Sequence, residues 1–280
     1  MDRVSFARNE GPLLVDVIKE KTFAEVRAAM LNGAVSGAMG YDIHLSPLTD
    51  EVTEKKVEKL AAQTRLPIMV LDYKLTYDGK SIVITDEART ERFLTCVRGG
   101  VSCVDMQGYT FNVGDTKESF SHKEWRTERM SFIDAMPDEV TINPYTIEKQ
   151  VNFIDKIHSE GGEVLLSTHV HKFMSCEQIT DLVHFLDERG ADVIKIVGNS
   201  DDDEQLAEVL RTVLKLKTMG AKAKLHYHSV GKCGRITRLI APMLGSYLMF
   251  CVDKYSPASL ADMPDLRTMT DAYRTMPWRS

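Results

Sequence analysis

A chain of 280 residues, 43% of them apolar, can build one large core, and its length suits a single α/β barrel. Its 35 basic and 41 acidic side chains leave a formal charge of −6, which argues against nucleic acid or an anionic membrane as the main partner and makes a small molecule the default ligand. The charged start Met1-Asp-Arg3 lacks a signal peptide's apolar core, and no run approaches the roughly 18 apolar residues of a membrane span, so a cytoplasmic protein is expected.

In chain order, short apolar runs alternate with segments of helical period. The expected strands are 13–18, 38–45, 67–74, 102–107, 164–169, 192–197, 222–228 and 247–252. The expected helices are 23–31, 50–63, 86–97, 145–159, 177–188, 203–218, 236–244 and 259–273. Asn143-Pro144 and Asp201-Asp-Asp203 mark two helix starts, and Gly161-Gly162, Gly190 and Gly220 close three helices. Eight such units predict a (β/α)8 TIM barrel as one domain over 1–280. An open doubly wound sheet is the runner-up, but no GxGxxG follows the first strand. One connection is too long for the rhythm, an insertion at about 109–143 after the fourth strand, read either as a lid or subunit contact or as a solvated loop. The five cysteines are scattered, without a CxxC pair, and are expected to be reduced.

In a barrel, polar residues at strand ends converge on one mouth. The chain places Asp42 and His44, Asp72 and Lys74, Asp105 and Gln107, His169 and His171, Lys195, and His226 and His228 there, each pair spaced by two and so facing one side of its strand. Lys195 lies in the apolar run Ala191-Asp-Val-Ile-Lys-Ile-Val-Gly198. Burial there favours a neutral, nucleophilic amine, unless an inward carboxylate pairs with it. His169 ends the preceding apolar strand, so an imidazole stands next to the amine. Together they can turn a ketone into an iminium and move the proton that the iminium acidifies.

Three segments carry a resemblance: Val164-Leu-Leu-Ser-Thr-His169, Gly190-Ala-Asp-Val-Ile-Lys-Ile196, and Ser229-Val-Gly-Lys-Cys-Gly-Arg-Ile-Thr-Arg238 with Leu244-Gly-Ser246. Over most of its length the chain resembles the type I 3-dehydroquinate dehydratases, barrels that use a Schiff-base lysine and a histidine and need no cofactor. The resemblance implies Lys195 as the Schiff-base nucleophile, His169 as general acid and base, and Arg238 as the anchor of a substrate carboxylate. It also implies substrate contacts from Asp42, His44, Lys74, Gln107, Tyr255 and Ser259, with a carboxylated cyclic ketone as ligand and a homodimer as assembly. These weaker positions depart from the family: Asp42 and His44 replace a glutamate and an arginine, Lys74 an arginine, and Gln107 an acidic residue. Tyr255-Ser-Pro-Ala-Ser259 replaces Ser-Ala-Pro-Gly-Gln. The reaction type is thus better preserved than the substrate.

Two other readings stay open. His169-Val-His171 and His226-Tyr-His228 could hold zinc or manganese in a metal-dependent barrel hydrolase or lyase. A barrel that binds a metabolite without turning it over is the third reading. Lys232-Cys-Gly-Arg235 is taken as a solvated loop, and the Met243, Leu244, Leu248, Met249 and Phe250 group as packing.

Overall fold

The computed structural model describes residues 3–7, 11–74, 83–112, 128–257, 259–260 and 262–275. Eight strands alternate with helices along the chain, and the strand pairings given below are all parallel. The strands are β1 (Leu13–Ile18), β2 (Gly40–His44), β3 (Ile68–Leu71), β4 (Cys103–Gln107), β5 (Glu163–His169), β6 (Val193–Asn199), β7 (Lys224–Val230) and β8 (Leu248–Cys251). The helices are α1 (Phe23–Ser36), α2 (Glu54–Ala61), α3 (Asp86–Arg98), α4 (Pro144–Ser159), α5 (Cys176–Asp187), α6 (Asp203–Lys217), α7 (Thr237–Leu244) and α8 (Leu266–Thr275).

The chain divides into two compact units: residues 1–105, 157–163 and 248–280, and residues 106–156 and 164–247. In the first, β1 pairs with both β2 and β8, β2 with β3, and β3 with β4. Its strands are near-continuous apolar runs because helices cover the sheet, and Leu13, Val15, Ile43, Met69, Val70, Phe93 and Leu94 are all buried. Each such side chain contributes about 1.5–3 kcal/mol through its removal from water. Helix α1 runs five residues past its expected end, and Gly33 within it lies close to β1. A Cβ there would meet the Asp16 carboxylate at 2.3 Å, and the helix stops only at Gly37, in the left-handed region at φ 100°.

In the second unit β5, β6 and β7 pair in order, and Leu166, Ile194 and Ile196 of the strands are buried, as are Leu182 and Leu186 of α5 and Val209 and Val213 of α6. Its helix starts are capped as their sequences require. Asn143 Oδ1 accepts from the Tyr145 and Thr146 amides, Ser175 and Gln178 form a reciprocal capping box, and Asp202 accepts from Gln205 N at 2.8 Å. Of the long connection after β4, residues 113–127 lie outside the described residues. The rest holds a 3-10 helix, Ser131–Ala135, and leads to Asp138 and Glu139. The last helix begins at Leu266, seven residues later than expected, since Ser256 and Ser259 close a turn on each other instead.

Candidate active site

Strands β5, β6 and β7 hold Lys195 and three of the expected histidines, His169, His226 and His228. Their register aligns Ser167, Lys195 and His226 in one row, and His169, Val197 and His228 in the row nearer the strand ends. Spacing by two keeps both rows on one face. Lys195 is 7% exposed, and its neighbours Ile194 and Ile196 are buried on the opposite face.

His169 is oriented by a residue that the sequence reading missed. Its Nδ1 lies 2.7 Å from Glu139 Oε2, which also accepts the His169 backbone N–H at 2.8 Å. Burial pushes the Glu139 carboxyl up, but the charge of His169, its two hydrogen bonds and the nearby His171 outweigh that and hold it below the usual carboxylate range. An ionised Glu139 fixes the proton on Nδ1 and leaves the lone pair on Nε2. Glu139 sits at φ 54°, a left-handed conformation costly for a side chain with a Cβ, and its carbonyl presses on Gly108, where a Cβ would stand 2.0 Å from that oxygen. The only sequence signal was an acidic pair, Asp138-Glu139, at the close of the long connection.

On β7, His226 Nδ1 lies 2.9 Å from Ser246 Oγ, and His226 Nε2 lies 2.9 Å from His228 Nδ1. Burial drives both rings well below the ordinary histidine range. Next in order come Lys195 and Arg238 for His226, and Arg238, His226, Lys195 and His169 for His228. Arg238, half-buried, is the second residue of α7, and a hydroxyl cluster fixes that helix start. Ser229 N donates to Thr237 Oγ1 at 2.8 Å, the Ser200 and Ser229 hydroxyls are 2.9 Å apart, and Thr237 Oγ1 donates to Gly234 O at 2.6 Å.

The metal reading rests on His169, His171, His226 and His228. His171 is exposed, 3.4 Å from Asp138, and both ring nitrogens of His226 are engaged in hydrogen bonds. Among the described residues no three His, Cys, Asp or Glu side chains are placed to hold a metal ion. Gln107 is buried, and its carbonyl accepts from the Thr110 hydroxyl at 2.6 Å.

The remaining expected contacts belong to the first unit. His44 Nε2 lies 3.5 Å from Asp42 Oδ2, and both side chains are buried. Strand β3 ends at Leu71, so Asp72 and Lys74 fall just beyond it. Asp72 accepts from Arg92 at 2.8 Å and Ser46 at 3.1 Å, and Lys74 Nζ lies 2.6 Å from Asp86 Oδ2. Asp86 also receives Arg89 at 2.7 Å. The Tyr255 hydroxyl donates to the Met263 carbonyl, and Ser259 Oγ accepts from Ser256 N at 3.0 Å. Ser259 also lines a cavity of about 230 Å³ with Asp16, Glu25, Asn32 and Lys254.

The chain is similar to the 3-dehydroquinate dehydratase of Klebsiella pneumoniae (strain 342), 24% identical over 172 residues, 60% of this chain and 68% of that protein. It is also similar to the 3-dehydroquinate dehydratase of Alkaliphilus oremlandii, 28% identical over 127 residues, 45% and 49% of the two chains. The solved 3-dehydroquinate dehydratase of Geobacillus kaustophilus shares the fold at TM-score 0.71 and 12% identity, over 99% of this chain and 98% of that one. The type I enzyme of Clostridium difficile, solved with covalently modified comenic acid, does so at TM-score 0.67 and 15% identity, over 97% and 98%. The fold is therefore the expected (β/α)8 barrel. A family profile described as Type I 3-dehydroquinase matches residues 127–277, more than half of the chain, which therefore belongs to the type I 3-dehydroquinase family of hydro-lyases.

Proposed function

We propose that the chain eliminates water from 3-dehydroquinate, or from a closely related carboxylated cyclic β-hydroxyketone, through a Schiff base on Lys195. The Lys195 amine adds its lone pair to the ketone carbon, and the carbonyl oxygen leaves as water to give an iminium. That cation acidifies the neighbouring C–H, and His169 Nε2 takes the proton while the electron pair forms an enamine. The enamine expels the β-hydroxyl, which recovers the proton from the His169 imidazolium and departs as a second water. Addition of water to the conjugated iminium frees the enone and restores the amine, so the net change is loss of one water. Glu139 stabilises the imidazolium between the two transfers. Arg238 takes the carboxylate through a bidentate contact.

The observation that carries this reading is the pairing of His169 Nδ1 with Glu139, which leaves Nε2 basic on the strand adjacent to that of buried Lys195. Amine, imidazole and guanidinium suffice for these steps, and the proposal includes no cofactor. Five free cysteines, four of them buried, suit a reducing compartment, and we assign the enzyme to the cytoplasm on that ground. Borohydride reduction in the presence of 3-dehydroquinate is expected to add the ligand mass at Lys195 and to stop turnover. An enzyme that retained its activity as Lys195→Ala would defeat the proposal.

A further inference from the structure

His228 is 2% exposed, its Nδ1 is bound to His226, and among the described residues its Nε2 has no hydrogen-bond partner. Leaving a buried polar nitrogen unpaired is costly, and such a group in a folded enzyme calls for a partner. The titratable groups that act on this ring are Arg238, His226, Lys195 and His169. Those are its companion on β7 and the three residues assigned above to substrate.

We infer that His228 Nε2 is a further substrate contact in the Lys195 pocket, hydrogen-bonding an uncharged oxygen of the carboxylated ring, either a hydroxyl or the carbonyl. The inference deepens the Lys195 reading and rests on it. Arg238 is the natural partner of the carboxylate, whereas a ring kept neutral by burial offers a hydrogen bond without charge.

The chain of bonds behind the ring sets its sense. Ser246 Oγ accepts from Tyr227 N at 2.9 Å and lies 3.2 Å from Tyr227 O. With the hydroxyl proton turned to that carbonyl, His226 Nδ1–H donates to Ser246 and His228 Nδ1–H donates to His226. His228 Nε2 then carries a lone pair that accepts from a substrate hydroxyl. With the proton turned to His226 instead, each bond reverses and Nε2–H donates to a carbonyl oxygen. Rotation of the Ser246 hydroxyl, together with the opposite tautomer of both rings, therefore fits the site to either kind of oxygen, and Ser246 and His226 act as positioning residues.

The test compares wild type, His228→Leu and His228→Gln on 3-dehydroquinate, with borohydride capture and a thermal midpoint for each. His228→Leu is expected to raise KM about tenfold while kcat changes little, and His228→Gln to recover much of the loss. In the wild-type enzyme, the ¹⁵N resonance of His228 Nε2 is expected to shift when quinate binds, a readout that needs no variant to fold. An unchanged KM in a folded His228→Leu variant, or an unmoved resonance with quinate bound, overturns the inference while capture at Lys195 still stands. Absence of the Lys195 adduct in wild type overturns both.

Discussion

Glu139 Oε2 stands 2.7 Å from the ring and 2.8 Å from the backbone nitrogen of His169, so one carboxylate fixes both the imidazole and the strand end that carries it. Glu139→Gln removes the charge that stabilises the imidazolium and permits the wrong tautomer. A fall in kcat on the order of 10², with KM changing far less, is expected in steady-state assays of enone formation. Equal losses in kcat for Asp138→Asn, whose partner is the exposed His171, would show that Glu139 is not the orienting group.

Gly108→Ala tests the same relationship from the other side. The added methyl would stand 2.0 Å from the Glu139 carbonyl oxygen, so one backbone must move. Destabilisation of roughly 1–3 kcal/mol is expected, together with a loss of kcat resembling that of Glu139→Gln. Denaturant midpoints and kinetics measured on one preparation would separate the two effects.

Asp16 makes stability fall with rising pH. Burial raises its carboxyl to about 7, opposed by a hydrogen bond from the Asp253 amide and helped by the like charge of Asp253, so the folded state holds a proton that the unfolded chain releases near pH 4. Its contribution is complete below about pH 4 and is lost as pH climbs towards 7, by up to about 4 kcal/mol. Asp16→Asn should therefore be more stable than wild type in urea at pH 8 and lose that advantage at pH 4.

His226 and His228 act in the opposite direction. Burial, with Lys195 and Arg238 close by, lowers both rings, so below about pH 6.5 the unfolded chain binds protons that the folded state refuses. Stability present above that pH is lost as pH falls, by at most about 2.7 kcal/mol per unit for two rings. His228→Leu is expected to flatten the acid limb of the urea midpoint against pH. An unaltered limb would mean that the pair is not held neutral.

Strand and helix positions were legible because they follow from periodicity over a few residues. The register β1 to β2 and β5 to β6 then carried the spaced pairs to one face, as their alternation required. Lys74 shows the limit. Its place near a strand end was readable, but its bond to Asp86 depends on where α3 docks, which no local pattern encodes. Glu139 was obscured for a similar reason, since it reaches His169 across thirty residues of sequence from a left-handed turn in an irregular segment.

Composition and hydrophobic rhythm by themselves determined a βα-repeat fold and the two strands that present Lys195 and His169, because burial on both faces of a parallel sheet leaves its mark residue by residue. Tertiary structure alone decided which carboxylate holds His169, that His226 and His228 bond to each other, and that among the described residues His228 Nε2 is left without a hydrogen-bond partner. Those outcomes depend on angles and distances between segments far apart in the chain, and a hydrogen bond formed at 2.9 Å is lost with a shift of about 1 Å.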